Sequence, residues 1–111
     1  MAAVGRDEED EGRQSALHAA AETAVEVPLK TAQLCAAALA LTRQAGEHIE
    51  QQFVSDAHAG ARLIHASLHS VLLNVDANAS QLGSDDARDR ARLSRDGLAQ
   101  RADAQLAAIT G

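Results

Sequence analysis

The sequence predicts an all-α chain, a helical bundle fragment in which a long kinked helix is followed by an antiparallel helical pair. Three observations carry this expectation. Alanine and leucine dominate the apolar residues, Pro28 is the only proline, and apolar positions recur at three- and four-residue steps instead of alternating. With one Phe, one Met, one Cys and no Trp or Tyr in 111 residues, the core must be aliphatic and small, so the chain forms one domain at most.

The elements follow in order. Residues 1–12 combine Gly5, Gly12 and the run Asp7-Glu8-Glu9-Asp10-Glu11, which reads as an acidic, mobile segment ahead of a helical domain over 13–111. From Arg13 to about Ala45 nearly every residue is a helix former. Val25, Leu29, Ala32, Ala36 and Leu39 mark one apolar face there, and Leu34, Ala38 and Leu41 a second. Pro28 removes one intrahelical hydrogen bond, which predicts a break or kink near Glu26 and Val27. So broad an apolar surface calls for several neighbours, and with them a homo-oligomer.

Gly46 opens a polar link, after which Ser55 offers a hydroxyl N-cap and Asp56 an acidic first turn. The helix that starts there carries Gly60, Ile64, Leu68 and Leu72 at four-residue steps and ends near Ala79 or Leu82. Gly83 reads as a stop and Ser84 as the cap of a third, antiparallel helix. Its seam is Ala91, Leu98, Ala102, Leu106 and Ile109, with Asp86–Arg90 and Asp89–Arg92 pairs on the wet side.

Charge and composition narrow the partners. The net charge is −6, concentrated in the first twelve residues, and there is neither a basic footprint nor an aromatic stacking platform for nucleic acid. The apolar run 32–41 is too short to cross a bilayer, and no hydrophobic signal segment precedes the acidic start. A single cysteine, Cys35, sits in that apolar run as a small buried thiol and allows no intramolecular disulfide. A cytoplasmic protein without membrane or nucleic-acid partners is the simplest expectation.

Two polar pairs stand out on the second helix. Asn74 and Asn78 lie one turn apart after mostly small or apolar residues, so both amides should be buried on one face. Such amides must be satisfied by another helix, by water or by a ligand. His65 and His69 share the same spacing, with His58 further along that side. Zinc proteases use this spacing, but no Glu follows His65 and Arg62 intrudes, so the expectation is a solvated or partner-facing stripe with no metal. There is no glycine-rich phosphate loop, and no catalytic residue can be assigned from spacing.

Glu26-Val27-Pro28-Leu29-Lys30, then Val54-Ser55-Asp56-Ala57, then Leu73-Asn74-Val75-Asp76-Ala77-Asn78 are more specific in combination. In this order they resemble the C-terminal part of the formiminotransferase-cyclodeaminase family, which includes bacterial stand-alone methenyltetrahydrofolate cyclohydrolases. The family pattern is V-P-L, then S-D-A-G, then L-N-V-x-x-N, and the resemblance runs from about Arg13 to Gly111. The family's P-G-G-G-S loop, the Ala-Gly-rich helix after it and the acidic catalytic helix have no counterpart in these residues. The expectation is a truncated copy, a late-starting gene model or one half of a split protein. Within the matched region the family's glycine is His58. Its often basic position between the asparagines is Asp76, which should weaken contact with an anionic folate tail.

The resemblance implies folate one-carbon metabolism. Opening the methenyl bridge of tetrahydrofolate is a hydrolysis, whereas closing it from a formimino group expels ammonia, and either activity remains open. Both pass through a tetrahedral carbon bearing nitrogen and require proton transfer in a positioned polar pocket. A tetrahydrofolate derivative is the implied small-molecule substrate, with no further cofactor, and Ser55, Asp56, Asn74 and Asn78 are the implied substrate-binding residues. The competing class is a non-enzymatic helical oligomerisation or interaction module, in which the same residues serve packing.

Overall fold

The computed structural model describes the backbone of residues 2–111 and the side chains of residues 8–111. Part of the acidic 1–12 segment, expected to be mobile, therefore lies outside the described residues. Helix α1 runs Ala2–Gly46, α2 Val54–Ala79 and α3 Asp85–Thr110, with a 3₁₀ turn at Gln51–Phe53. Among the described residues there is no strand. The chain is an all-α bundle in which a long helix is followed by an antiparallel pair.

Pro28 does not divide α1, which is one continuous helix. An interior proline costs about 3 kcal/mol. Against that, Ala21 and Val25 before it and Ala32, Ala36 and Leu39 after it are all buried in one core. Each fully buried Val or Leu contributes roughly 1.5–3 kcal/mol, so packing on both sides of the proline outweighs the lost hydrogen bond. At a rise of about 1.5 Å per residue, α1 outruns the other two helices, and the molecule measures 76 × 19 × 17 Å. Residues 8–20 are exposed throughout.

The core is a single aliphatic seam. Leu39, Leu68, Leu72 and Val75 are its largest fully buried side chains, joined by Ala61 from α2 and by Ala91, Leu98 and Ala102 from α3. Leu29, Ile64, Leu106 and Ile109 pack against it as partly buried residues. The second apolar face of α1 is not covered: Leu34 is 72% exposed and Leu41 65%, as are Leu63 of α2 at 71% and Leu93 of α3 at 72%. Cys35 is half-buried beside that face, not enclosed. An 18-residue window of mean hydropathy 1.3 on α1 is long and apolar enough, by length and composition only, to cross a bilayer, so the apolar stretch exceeds the 32–41 run.

The helix boundaries refine the expected signals. Ser55 does not cap α2: the helix begins at Val54 behind the 3₁₀ turn, and its N-cap Phe53 provides no side-chain bond. Asp56 does lie in the first turn. Ser84 caps α3, its hydroxyl accepting from the Ala87 N–H at 3.1 Å. Gly83 lies close to α1 and adopts an ordinary backbone conformation. No glycine among the described residues has positive φ, but a Cβ on Gly83 would stand 3.2 Å from His18 Nδ1 of α1. On α3, Arg92 pairs with Asp89 at 2.6 Å, while Arg88 replaces the expected Asp86–Arg90 pair by bonding Asp85 and the Leu82 carbonyl.

Candidate functional site

Successive residues of α2 advance about 100° around its axis, which places the two polar pairs on opposite flanks of the buried stripe Ala61, Leu68, Leu72 and Val75. The asparagine flank faces α1 and the histidine flank faces α3. Asn74 and Asn78 line one shallow groove of about 410 Å³ with Val71 and, from α1, Thr23, Ala24, Val27, Pro28 and Thr31. The amides are less enclosed than expected, since Asn74 is exposed and Asn78 only half-buried. Small side chains before them made the face look buried, but the gap left by short side chains is filled by solvent instead of by a helix.

The hydrogen bonding of the pair is local. Asn78 Nδ2 donates to the backbone carbonyl of Asn74 at 2.8 Å, which fixes the Asn78 rotamer. Both side chains line the groove, and Asn74 makes no side-chain hydrogen bond among the described residues. Across the groove Pro28 has no N–H to give the carbonyl of Ala24, so this groove-lining residue keeps an acceptor without its helical partner. The hydroxyls of Thr23 and Thr31 donate back to the Ala19 and Val27 carbonyls at 3.2 and 3.1 Å, leaving their oxygens as acceptors. No acid or base is among the groove's lining residues. The arrangement can hold an amide-like ligand edge but cannot by itself move a proton.

Ser55 and Asp56 are not brought to this groove. Asp56 precedes Asn74 by eighteen residues on one helix, about 27 Å along its axis. Both are exposed. Near that end His58 lines a separate cleft of about 310 Å³ with Thr42, Arg43, Glu47 and Ile109. Asp76, expected to oppose an anionic ligand at the asparagines, points instead to the α3 flank. Arg95 Nε donates to Asp76 Oδ1 at 2.8 Å and Arg95 guanidinium Nη2 to Oδ2 at 3.0 Å. That bidentate bond raises the Arg95 pKa and neutralises the Asp76 charge on the far side of the helix from the groove.

The histidine flank holds a residue that spacing did not reveal. Asp103 of α3 accepts from both imidazoles on one oxygen, Oδ1, at 2.7 Å from His65 Nε2 and 2.8 Å from His69 Nε2. These hydrogen bonds, first from His65 and then from His69, hold the Asp103 carboxyl below the usual carboxylate range. A signal was present in the sequence. Counting equal distances from the Ser84 cap of an antiparallel pair sets these histidines opposite the second half of α3, whose one acid is Asp103.

Comparison with protein families returned the formiminotransferase-cyclodeaminase model, matched over residues 1–96. The chain belongs to the formiminotransferase-cyclodeaminase family. That match spans α1, α2 and the first half of α3, including all three motifs, and it links the chain to folate one-carbon metabolism. No curated protein and no solved structure gave a significant match. Two of the formiminotransferase-cyclodeaminase motifs, Val27-Pro28-Leu29 and Asn74-Val75-Asp76-Ala77-Asn78, meet at the α1/α2 groove, whereas the Ser55-Asp56 motif stands at the opposite end of α2. Asp103 lies beyond the matched span.

Proposed function

We propose that the groove between Pro28 and the Asn74/Asn78 pair holds the pterin end of a tetrahydrofolate. The chain then acts as the ligand-holding part of a methenyltetrahydrofolate cyclohydrolase or formiminotetrahydrofolate cyclodeaminase in the cytoplasm. The observation that supports this reading is the meeting of the two motifs across one groove. A pterin edge alternates amide-like donors and acceptors. Asn74 offers both, while Asn78 Oδ1 and the Ala24 carbonyl offer acceptors. Neither bridge opening nor ammonia expulsion changes oxidation state, so no redox cofactor is required.

Proton transfer needs a titratable group that the groove does not contain. The uncovered Leu34, Leu41, Leu63 and Leu93 supply apolar surface for association with a second copy. Sedimentation at high micromolar concentration should show a dimer or larger; a compact, cooperatively melting monomer would remove the oligomer from this reading.

Titration with 5-formyltetrahydrofolate, a stable tetrahydrofolate, tests the groove. Saturable binding is expected, weakened about tenfold in Asn78→Ala, the worth of about one hydrogen bond. The same residues 1–111 should open methenyltetrahydrofolate no faster than buffer. Absence of binding by folded protein would leave a helical interaction module. Robust turnover abolished by Asp56→Asn would move the catalytic centre to the start of α2.

A further inference from the structure

His65, His69 and Asp103 are the one place among the described residues where three potential metal-ligand side chains converge, and their ligand atoms all lie within 4.8 Å of one another. The convergence comes from two helices. The i, i+4 spacing sets both imidazoles on one face of α2, with ring centroids 4.5 Å apart and planes tilted by 56°, and both Nε2 atoms aim at the same oxygen of α3. We propose that these three side chains bind one divalent cation of borderline softness, Zn²⁺ in the first instance, which clamps α2 to α3.

The donor set suits this ion. Two neutral imidazoles and a carboxylate, with a fourth position left to water, match the open coordination of three-ligand zinc sites. At Zn–N and Zn–O distances of about 2.0–2.1 Å, tetrahedral ligand atoms stand about 3.3 Å apart. The present separations from Asp103 Oδ1 are 2.7 and 2.8 Å, so entry of the ion requires the carboxylate to retreat by about half an ångström while the two imidazoles, whose ligand atoms lie within 4.8 Å, adjust to the same spacing. Asp103 can make that movement, because its side chain is 60% exposed. Each neutral imidazole binds through Nε2 once its proton has moved to Nδ1 by exchange with solvent, and two hydrogen bonds are exchanged for three metal bonds.

Arg62 falls on the same face one turn before the histidines, and its charge, with solvent access, keeps affinity below that of a closed four-ligand site. The ion bridges elements that otherwise meet through the apolar seam and the Arg95–Asp76 bond, so it should stabilise their packing. This inference is independent of folate binding, since His65, His69 and Asp103 do not line the asparagine groove.

The test uses residues 1–111 stripped with a chelator and then titrated with ZnCl₂ by calorimetry and by thermal melting. Expected are one ion per chain and a melting temperature raised by about 10 °C at zinc a hundredfold above its dissociation constant. His69→Gln can keep a hydrogen bond to Asp103 and so preserve the fold; it should weaken zinc at least tenfold. His58→Ala and His48→Ala should change nothing. Cobalt substitution gives a second readout, a visible absorption that appears on Co²⁺ addition and is lost in His69→Gln. No saturable binding up to millimolar zinc, or unchanged affinity in a folded His65→Gln/His69→Gln double variant, would overturn the proposal.

Discussion

Two i, i+4 polar pairs on one helix have different roles because different helices face them. Asn74/Asn78 looks across at α1, where Ala24, freed by Pro28, and two threonines present carbonyl and hydroxyl oxygens but no side-chain donor reaches across. His65/His69 looks at α3, where Asp103 accepts from both rings. In the first pair only Asn78 bonds within its own helix, and the pair leaves an open groove. The second ties two helices together. Periodicity therefore specifies that two side chains share a face, while the opposing helix determines whether the face is a contact or a vacancy.

The comparison can be broken most forcefully at the spine between the flanks. Leu72 is fully buried, and Leu72→Ala should cost about 2–5 kcal/mol, loosening both faces together; denaturant unfolding checks it. Were the groove to keep its ligand while the cross-helix bonds failed, the flanks would be mechanically independent. A smaller effect comes from the α3 flank alone. Arg95→Ala removes the bidentate bond to a half-exposed Asp76 and should cost up to about 1 kcal/mol, with folate binding unaltered. A binding loss comparable to that of Asn78→Ala would mean that Asp76 and the groove are coupled after all.

The legible part of the fold was local. The seam positions Val25, Ala32, Ala36, Leu39, Leu68, Leu72, Leu98 and Ala102, the Ser84 cap and the antiparallel pair all follow from spacing and capping chemistry, and all are present. Of the break or kink expected at Pro28, a break does not occur, because packing on either side of the proline outweighs its local cost. Ser55 does not cap the second helix because a 3₁₀ turn, which has no strong sequence signature, starts that helix before the hydroxyl. In the candidate site the shared face of the asparagines was legible and their exposure was not, since exposure depends on how closely α1 approaches. Asp103 stands 34 and 38 residues from its histidines, so only the register of the helical pair could reveal it.

The smallest expected stability change belongs to the residue with the largest expected functional one. Asn74 is exposed, so Asn74→Ala should shift stability by no more than about 0.5 kcal/mol. Melting and 5-formyltetrahydrofolate titration should be run side by side on Asn74→Ala and Asp103→Asn. The expected result is a crossed one: Asn74→Ala binds the folate about tenfold more weakly at an unchanged melting temperature, and Asp103→Asn melts lower with its folate affinity intact. Asn74→Ala melting lower while binding as tightly as the parent would contradict the assignment and make the asparagine pair a packing device.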